Sequence, residues 1–367
     1  MTFGQRMRRL GTRLPVCWLW RTRRRAVASI VVLAVLLAAG VTGLALSGSP
    51  TVRTSAQFID GVPEGAVPVQ LDTTLYLPAR VPAPAILLAH GFGGSKADLA
   101  GQARSLAQHG YVVLAYSARG FGRSGGLIHL DSLDYEVADA SRLVSWLQAR
   151  PEVARAGGRP QIGVAGSSYG GALALMLGST DPRIHAVAAD ITWNNLAHAL
   201  FPNEGGDSPG VFKKLWAGYL FSAGFTSGSA GGSTGGSAAG ADQAGGLGSD
   251  SGASSAPAAD PVSAGACGRF APQLCALYAA AAGGGPVDAA ALQLLGRSSP
   301  ATVLSRIKAP VLLTQGEQDS LFPLSEADAN AREIAAAGAP VTVRWRAGGH
   351  DAPSTGDNVA GWQRQFF

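Results

Sequence analysis

The 367-residue chain is poor in cysteine, histidine and charge: it has three cysteines and six histidines, and Asp, Glu, Lys and Arg make up 14% of it. Three cysteines are too few for the disulfide framework of a small secreted scaffold. Cys17 reads as a free thiol, while Cys267 and Cys275 leave two options open, a local disulfide or two buried thiols. No spacing of Cys, His or carboxylates matches a metal site, and nothing calls for a cofactor. Acidic residues are absent from 1–25, which hold eight arginines. Beyond residue 50 the chain has 21 basic residues against 24 acidic, a net of −3, so the overall +5 belongs to the N-terminus. No basic surface for nucleic acid is left. Large apolar residues are nearly missing from 222–260, a Gly/Ser/Ala tract that cannot offset its chain entropy and is predicted to be disordered.

Glycine, by contrast, is abundant, with 50 residues, and Gly-x-Ser-x-Gly occurs three times. Ser233 lies in the Gly/Ser tract, and Ser124 follows a loop-like Arg119-Gly120-Phe121. Only Ser168 has an apolar strand before it, Ile162-Gly163-Val164-Ala165, and an apolar helix after it, Ala172 to Leu177. A tight strand-to-helix turn with small flanking residues pushes a serine hydroxyl out into a site, which is the nucleophile elbow of the α/β-hydrolase fold.

In that fold the acid and then the base follow the serine in sequence. His185 and His198 come too soon after Ser168 to leave room for an acid-bearing strand, so His350 is the predicted base. It follows the strand-like 341–346, and catalytic groups gather at the carboxyl ends of parallel strands. The predicted acid is Asp319, one loop beyond the strand 311–315, with Glu317 as the alternative; Asp351, adjacent to the base, is a poor candidate. His350 would take the Ser168 proton and Asp319 would fix its tautomer. The loop His90-Gly91-Phe92-Gly93-Gly94 follows a buried strand at 85–89 and lacks the Lys-Ser/Thr ending of a phosphate loop. The backbone N–H groups of Tyr169 and Phe92 are therefore the expected oxyanion hole.

On these residues the chain resembles the Xaa-Pro dipeptidyl-peptidase and cocaine-esterase-like α/β-hydrolases. The resemblance rests on Gly166-Ser167-Ser168-Tyr169-Gly170-Gly171, on Ala118-Arg119-Gly120-Phe121-Gly122-Arg123-Ser124-Gly125-Gly126, and on Ile191-Thr192-Trp193-Asn194-Asn195-Leu196. It covers residues 66–200 and 300–367. It implies hydrolysis of esters or amides through an acyl-enzyme, with the triad pattern matched by Ser168, Asp319 and His350. Relatives often carry an aspartate where this chain has Ser117, and many add a C-terminal β-sandwich beyond the point where this chain ends, Phe367. The triad is untouched by these departures; the peptidase preference is not. A small-molecule or peptide substrate is expected. An esterase acting on lipid-like or envelope esters, or a non-catalytic envelope binding module, are the competing readings.

The predicted architecture is α/β, a mostly parallel sheet with helices on both faces. Residues 1–25 are a basic cytoplasmic tail. Residues 26–46 carry no charge and span about 31 Å as a helix at about 1.5 Å per residue, which predicts a single-pass anchor with the catalytic domain outside. Cleavage near Ala45-Leu46-Ser47, giving a secreted protein, is the alternative. Then come a linker at 47–65, the first part of the core at 66–192 with an amphipathic helix at 135–150, a lid at 193–300 with helices at 212–221, 276–282 and 287–295, and the rest of the core at 301–367. Within the core, 67–71 and 74–77 read as antiparallel edge strands, with Pro68 tolerated at the edge. Trp193 and Asn194 are the expected substrate contacts, with Asn195, Phe201, Trp216 and Tyr219 as further candidates and simple lid packing as the alternative; Glu204 and Asp207 could receive a substrate amine or stand as solvated charges.

Overall fold

Short apolar runs such as 85–89 and 112–116 are buried at every position, the pattern of strands covered on both faces of a sheet. In the computed structural model, which describes residues 51–203, 210–226, 267–285, 287–352 and 358–367, these runs form the middle of an eight-stranded sheet. Its strands are β1 (Arg53–Asp60), β2 (Gln70–Leu77), β3 (Ala85–Ala89), β4 (Val112–Tyr116), β7 (Ile162–Ser167), β8 (Ile184–Asp190), β9 (Val311–Gly316) and β10 (Val341–Arg346). The order is β1-β2-β4-β3-β7-β8-β9-β10. The pairs β1/β2 and β2/β4 are antiparallel and every other pair is parallel. The two-residue strands β5 (Arg155–Ala156) and β6 (Arg159–Pro160) form a separate hairpin.

Alternation along the strands divides the core in two. Leu87, Leu114, Val164 and Leu313 face the layer that holds Leu143, Leu175 and Ile334. Ile86, Leu88, Val113, Ala165 and Leu312 face the opposite layer, with Leu106 buried and Trp362 and Phe366 packed against it. The helix Tyr169–Thr180 is buried along all but its last residue, as expected of a helix apolar on all sides.

Three sequence expectations are corrected. The linker at 47–65 contains β1: its residues are mostly exposed and only Ile59 is buried, so no clear apolar alternation marks them, and backbone pairing to β2 from Arg53↔Leu77 to Asp60↔Gln70 holds them instead. The two edge strands at 67–71 and 74–77 are one strand, β2, and Pro68 precedes it beyond the Glu64–Val67 bridge. The helix placed at 212–221 runs as Lys214–Thr226, into the start of the Gly/Ser tract. Most of that tract lies outside the described residues, as do the arginine-rich tail, the uncharged run 26–46, Cys17, Glu204, Asp207 and Ser233. Among the described residues no helix is long and apolar enough to cross a membrane.

Among the described residues between β8 and β9 the chain makes the α-helices Leu196–Leu200, Lys214–Thr226, Pro272–Ala282 and Ala289–Arg297, followed by two short 3-10 turns, Pro300–Thr302 and Leu304–Arg306. Aromatic stacking joins two of them: Phe221 lies 4.0 Å from Tyr278 and 4.7 Å from Phe270, ring centroid to centroid. Cys267 and Cys275 form a disulfide across the entry to Pro272–Ala282, with Cα atoms 5.6 Å apart.

Candidate active site

At the end of β7 the chain turns into a helix within one residue, and Ser168 takes the strain, with φ +54° and ψ −117°. The turn is tight enough to demand its glycines. A Cβ on Gly166 would lie 2.1 Å from the Gly170 carbonyl oxygen, and one on Gly170 would lie 2.3 Å from that of Ala89. The Ser168 N–H donates to the Asp190 carbonyl at 2.8 Å, and Thr192 Oγ1 donates to the Ser168 carbonyl at 2.8 Å. These bonds fix a conformation that a non-glycine residue would otherwise avoid.

The loops after β9 and β10 bring the other two groups to this hydroxyl. His350 Nε2 is 2.8 Å from Ser168 Oγ, and His350 Nδ1 is 2.6 Å from Asp319 Oδ2. The second Asp319 oxygen accepts from the backbone N–H groups of Leu321 (3.0 Å) and Phe322 (2.8 Å), and its side chain is fully buried. An acceptor held on both oxygens keeps the imidazole proton on Nδ1 and leaves Nε2 facing the serine. Phe322 and Trp216 hold the imidazole edge-on, at 5.1 Å and 6.0 Å between centroids. Glu317 is exposed, and Asp351 is bound to Ser320 instead.

Tyr169 and Phe92 meet beside Ser168, their rings T-shaped at 5.4 Å. Among the described residues neither backbone N–H has an acceptor within the protein. The loop carrying Phe92 closes on itself, Gly94 N–H to Gly91 carbonyl at 3.1 Å. Its base is His90, a buried neutral imidazole: it accepts from the Ala118 N–H on Nε2 (2.9 Å), so Nδ1 carries the proton and donates to the Gly91 carbonyl (2.7 Å). Burial holds the His90 pKa below the usual imidazole range, in keeping with that assignment.

Ser168 opens on an apolar pocket of about 80 Å³, walled chiefly by Phe92, Trp193, Phe221, Phe270, Leu274 and Phe322. Trp193 lines this pocket, its Nε1 tied to the Ser298 carbonyl at 2.8 Å. Asn194 does not. Its backbone N–H donates to Glu326 Oε2 (2.7 Å) and its side chain to Asn330 Oδ1 (3.1 Å), so a structural polar network claims the residue. Phe201 lies behind the wall, stacked on the lining residue Phe212, and Tyr219 is exposed.

Two motif residues serve the frame. Ser124 Oγ donates to the Ser117 carbonyl (2.7 Å) and accepts from the Asp72 N–H (2.8 Å). Arg119, fully buried, makes a bidentate pair with Asp139 (2.7 and 3.0 Å), bonds Glu64 (3.1 Å) and lies under the Tyr135 ring. Sequence reasoning missed this role: its partners lie 20 and 55 residues away, and only the Arg-Gly pair marks the position. Among the described residues no cluster of three or more His, Cys, Asp or Glu could hold a metal ion.

Comparison with known proteins agrees with this architecture. The family model for the X-Pro dipeptidyl-peptidase (S15 family) matches residues 64–338. A Pseudomonas aeruginosa protein described as uncharacterized is 32% identical over 131 residues, 34% of this chain and 34% of that protein. Uncomplexed Pyrococcus horikoshii acylaminoacyl peptidase superposes with a TM-score of 0.50 at 15% identity, over 84% of this chain but 39% of its own. Acetyl xylan esterase 1 from a Thermoanaerobacterium species gives 0.51 at 17% identity, over 87% of this chain and 88% of its own. Such distant likenesses carry the α/β-hydrolase fold alone. With three quarters of its length matched by the one family model, the chain belongs to the X-Pro dipeptidyl-peptidase (S15) family.

Proposed function

We propose that the protein is a serine hydrolase that transfers the acyl group of an apolar ester or amide to water. Ser168 Oγ attacks the carbonyl carbon while His350 Nε2 takes its proton, and Asp319 stabilises the imidazolium. The N–H groups of Tyr169 and Phe92 bind the oxyanion, each donor contributing about 3–4 kcal/mol to the transition state. His350 returns the proton to the leaving alcohol or amine. It then activates the water that releases the acid and regenerates Ser168. The observation that carries this reading is the unbroken Ser168–His350–Asp319 chain at the mouth of an apolar pocket.

The pocket also bears on the substrate. Its described wall has no carboxylate to pair with the free ammonium of a dipeptide, which favours a neutral apolar acyl group. Family membership favours the second reading, dipeptide release from Xaa-Pro peptides. A series of p-nitrophenyl esters from acetyl to hexanoyl, run beside an Xaa-Pro p-nitroanilide, separates them. On the first reading kcat/KM rises by up to about fourfold per buried methylene until the pocket is full, and the anilide is cleaved poorly. The opposite ranking would make the protein a dipeptidyl-peptidase.

We further propose that the helices between β8 and β9 act as a lid, and that the domain works outside the cytoplasm, tethered by residues 26–46. The arginine-rich start, the uncharged run and a disulfide suited to an oxidising compartment support that placement.

A further inference from the structure

One residue, Ser320, joins the pocket's roof to both loops of the triad. It follows Asp319, and its partner Asp351 follows His350. Its backbone N–H donates to Asp351 Oδ1 at 3.1 Å and its hydroxyl to Asp351 Oδ2 at 2.5 Å. Two groups reach the same residue from the start of the roof helix, Lys214–Thr226. Trp216 Nε1 donates to Ser320 Oγ at 3.1 Å, and Lys213 Nζ donates to the carbonyls of Ser320 (2.7 Å) and Leu321 (2.8 Å). The Ser320 hydroxyl has one proton, so the bonds have a single sense, from the indole N–H to the hydroxyl to the Asp351 carboxylate. The Lys213 ammonium adds charge-assisted bonds to this peptide segment, within the field of the Glu326, Asp319 and Asp351 carboxylates.

The same helix walls the pocket through Ala217, Leu220 and Phe221, and its Trp216 ring stands edge-on to His350. Nothing in the chemistry of acyl transfer needs Trp216 or Lys213 to touch substrate. Their placing makes sense if the roof and the base loop must be set together.

We propose that Trp216 and Lys213 are positioning residues, a clasp on Ser320 that seats the His350 loop when the roof helix closes over the acyl group. The proposal rests on the serine-hydrolase reading. Closure and catalytic alignment are then one event, and a substrate too polar to hold the roof down meets a poorly aligned base. A roof that merely packed on the pocket would change substrate binding and leave the turnover of small substrates alone.

The test uses Trp216→Phe, which keeps a ring against His350 and deletes the N–H, and Lys213→Met, which keeps the stem and deletes the ammonium. Full-length protein is assayed with p-nitrophenyl acetate and p-nitrophenyl hexanoate, with thermal unfolding as the folding control and Lys213→Arg as the conservative rescue. The clasp predicts that kcat falls about 10- to 100-fold on both esters, that the hexanoate KM also rises, and that arginine restores most of the loss. A rise in KM with kcat kept on acetate, or no change in a folded variant, overturns it. A folded wild-type protein that hydrolyses neither ester and takes no fluorophosphonate label overturns the serine-hydrolase reading itself, and the clasp with it.

Discussion

Glu136 stands fully buried at the start of the helix Glu136–Gln148, its two oxygens accepting from the backbone N–H groups of His129 (2.6 Å) and Ser132 (2.9 Å). Burial raises its pKa to about 7, against the pull of those bonds and of Arg119. The folded protein therefore holds this proton up to about pH 7, whereas the unfolded chain loses it near pH 4.5. Stability from this group is complete below the unfolded value and declines as pH rises toward the folded one, by about 3 kcal/mol in all. Glu136→Gln removes the titration. Urea unfolding at pH 5 and pH 8 should show the substitution less destabilising at pH 8, by about 2–3 kcal/mol; equal effects at both pH values would contradict the burial argument. Such a site is invisible in the sequence, because Glu136 becomes special only when Tyr116, Asp131 and Asp139 gather around it. Ser168 and His350 were legible for the opposite reason. Steric demand writes the elbow into adjacent glycines, and chain order leaves one histidine in the right place. Asn194 misled, since a polar residue beside a pocket-lining tryptophan carries no sign of the partners, Glu326 and Asn330, that claim it.

At the scale of elements, legibility followed apolar pattern. The parallel strands and the helix Glu136–Gln148 stood out because burial on one or both faces imposes a period on the residues. β1 did not, because an edge strand with only Ile59 buried is held by its backbone ladder. The helices over the pocket were placed with shifted ends: Pro272–Ala282 begins earlier than its apolar run suggests, at a proline suited to the first turn. The disulfide across that entry closes a short loop, and a loop of this size contributes about 2–3 kcal/mol to the segment it ties. Because Phe270 and Leu274 of this segment wall the pocket, its loss has a functional readout. Cys275→Ala, or reduction of the native protein, should speed hydrogen exchange in Pro272–Ala282 and raise KM for hexanoyl esters, with acetate turnover kept. Unchanged exchange after reduction would show that packing alone holds the helix.

For the molecule as a whole, one sheet sets the chemistry. β7, β9 and β10 end on the same side, and their loops bring Ser168, Asp319 and His350 together from positions up to 182 apart. That convergence follows from the parallel pairing of these strands, which places their carboxyl ends along one edge of the sheet. The covering helices then enclose the serine in apolar surroundings, where the proposed proton relay and N–H donors would act with little competition from water. On the proposed function, Ser168 is activated by this arrangement. Fluorophosphonate labelling of the full-length protein tests it most directly, with wild type beside Ser168→Ala and Asp319→Asn. The account predicts stoichiometric labelling of wild type at Ser168, none in Ser168→Ala, and labelling slowed by about 10⁴-fold in Asp319→Asn. Wild-type protein that is folded and stays unlabelled, or label on a serine other than Ser168, would contradict it.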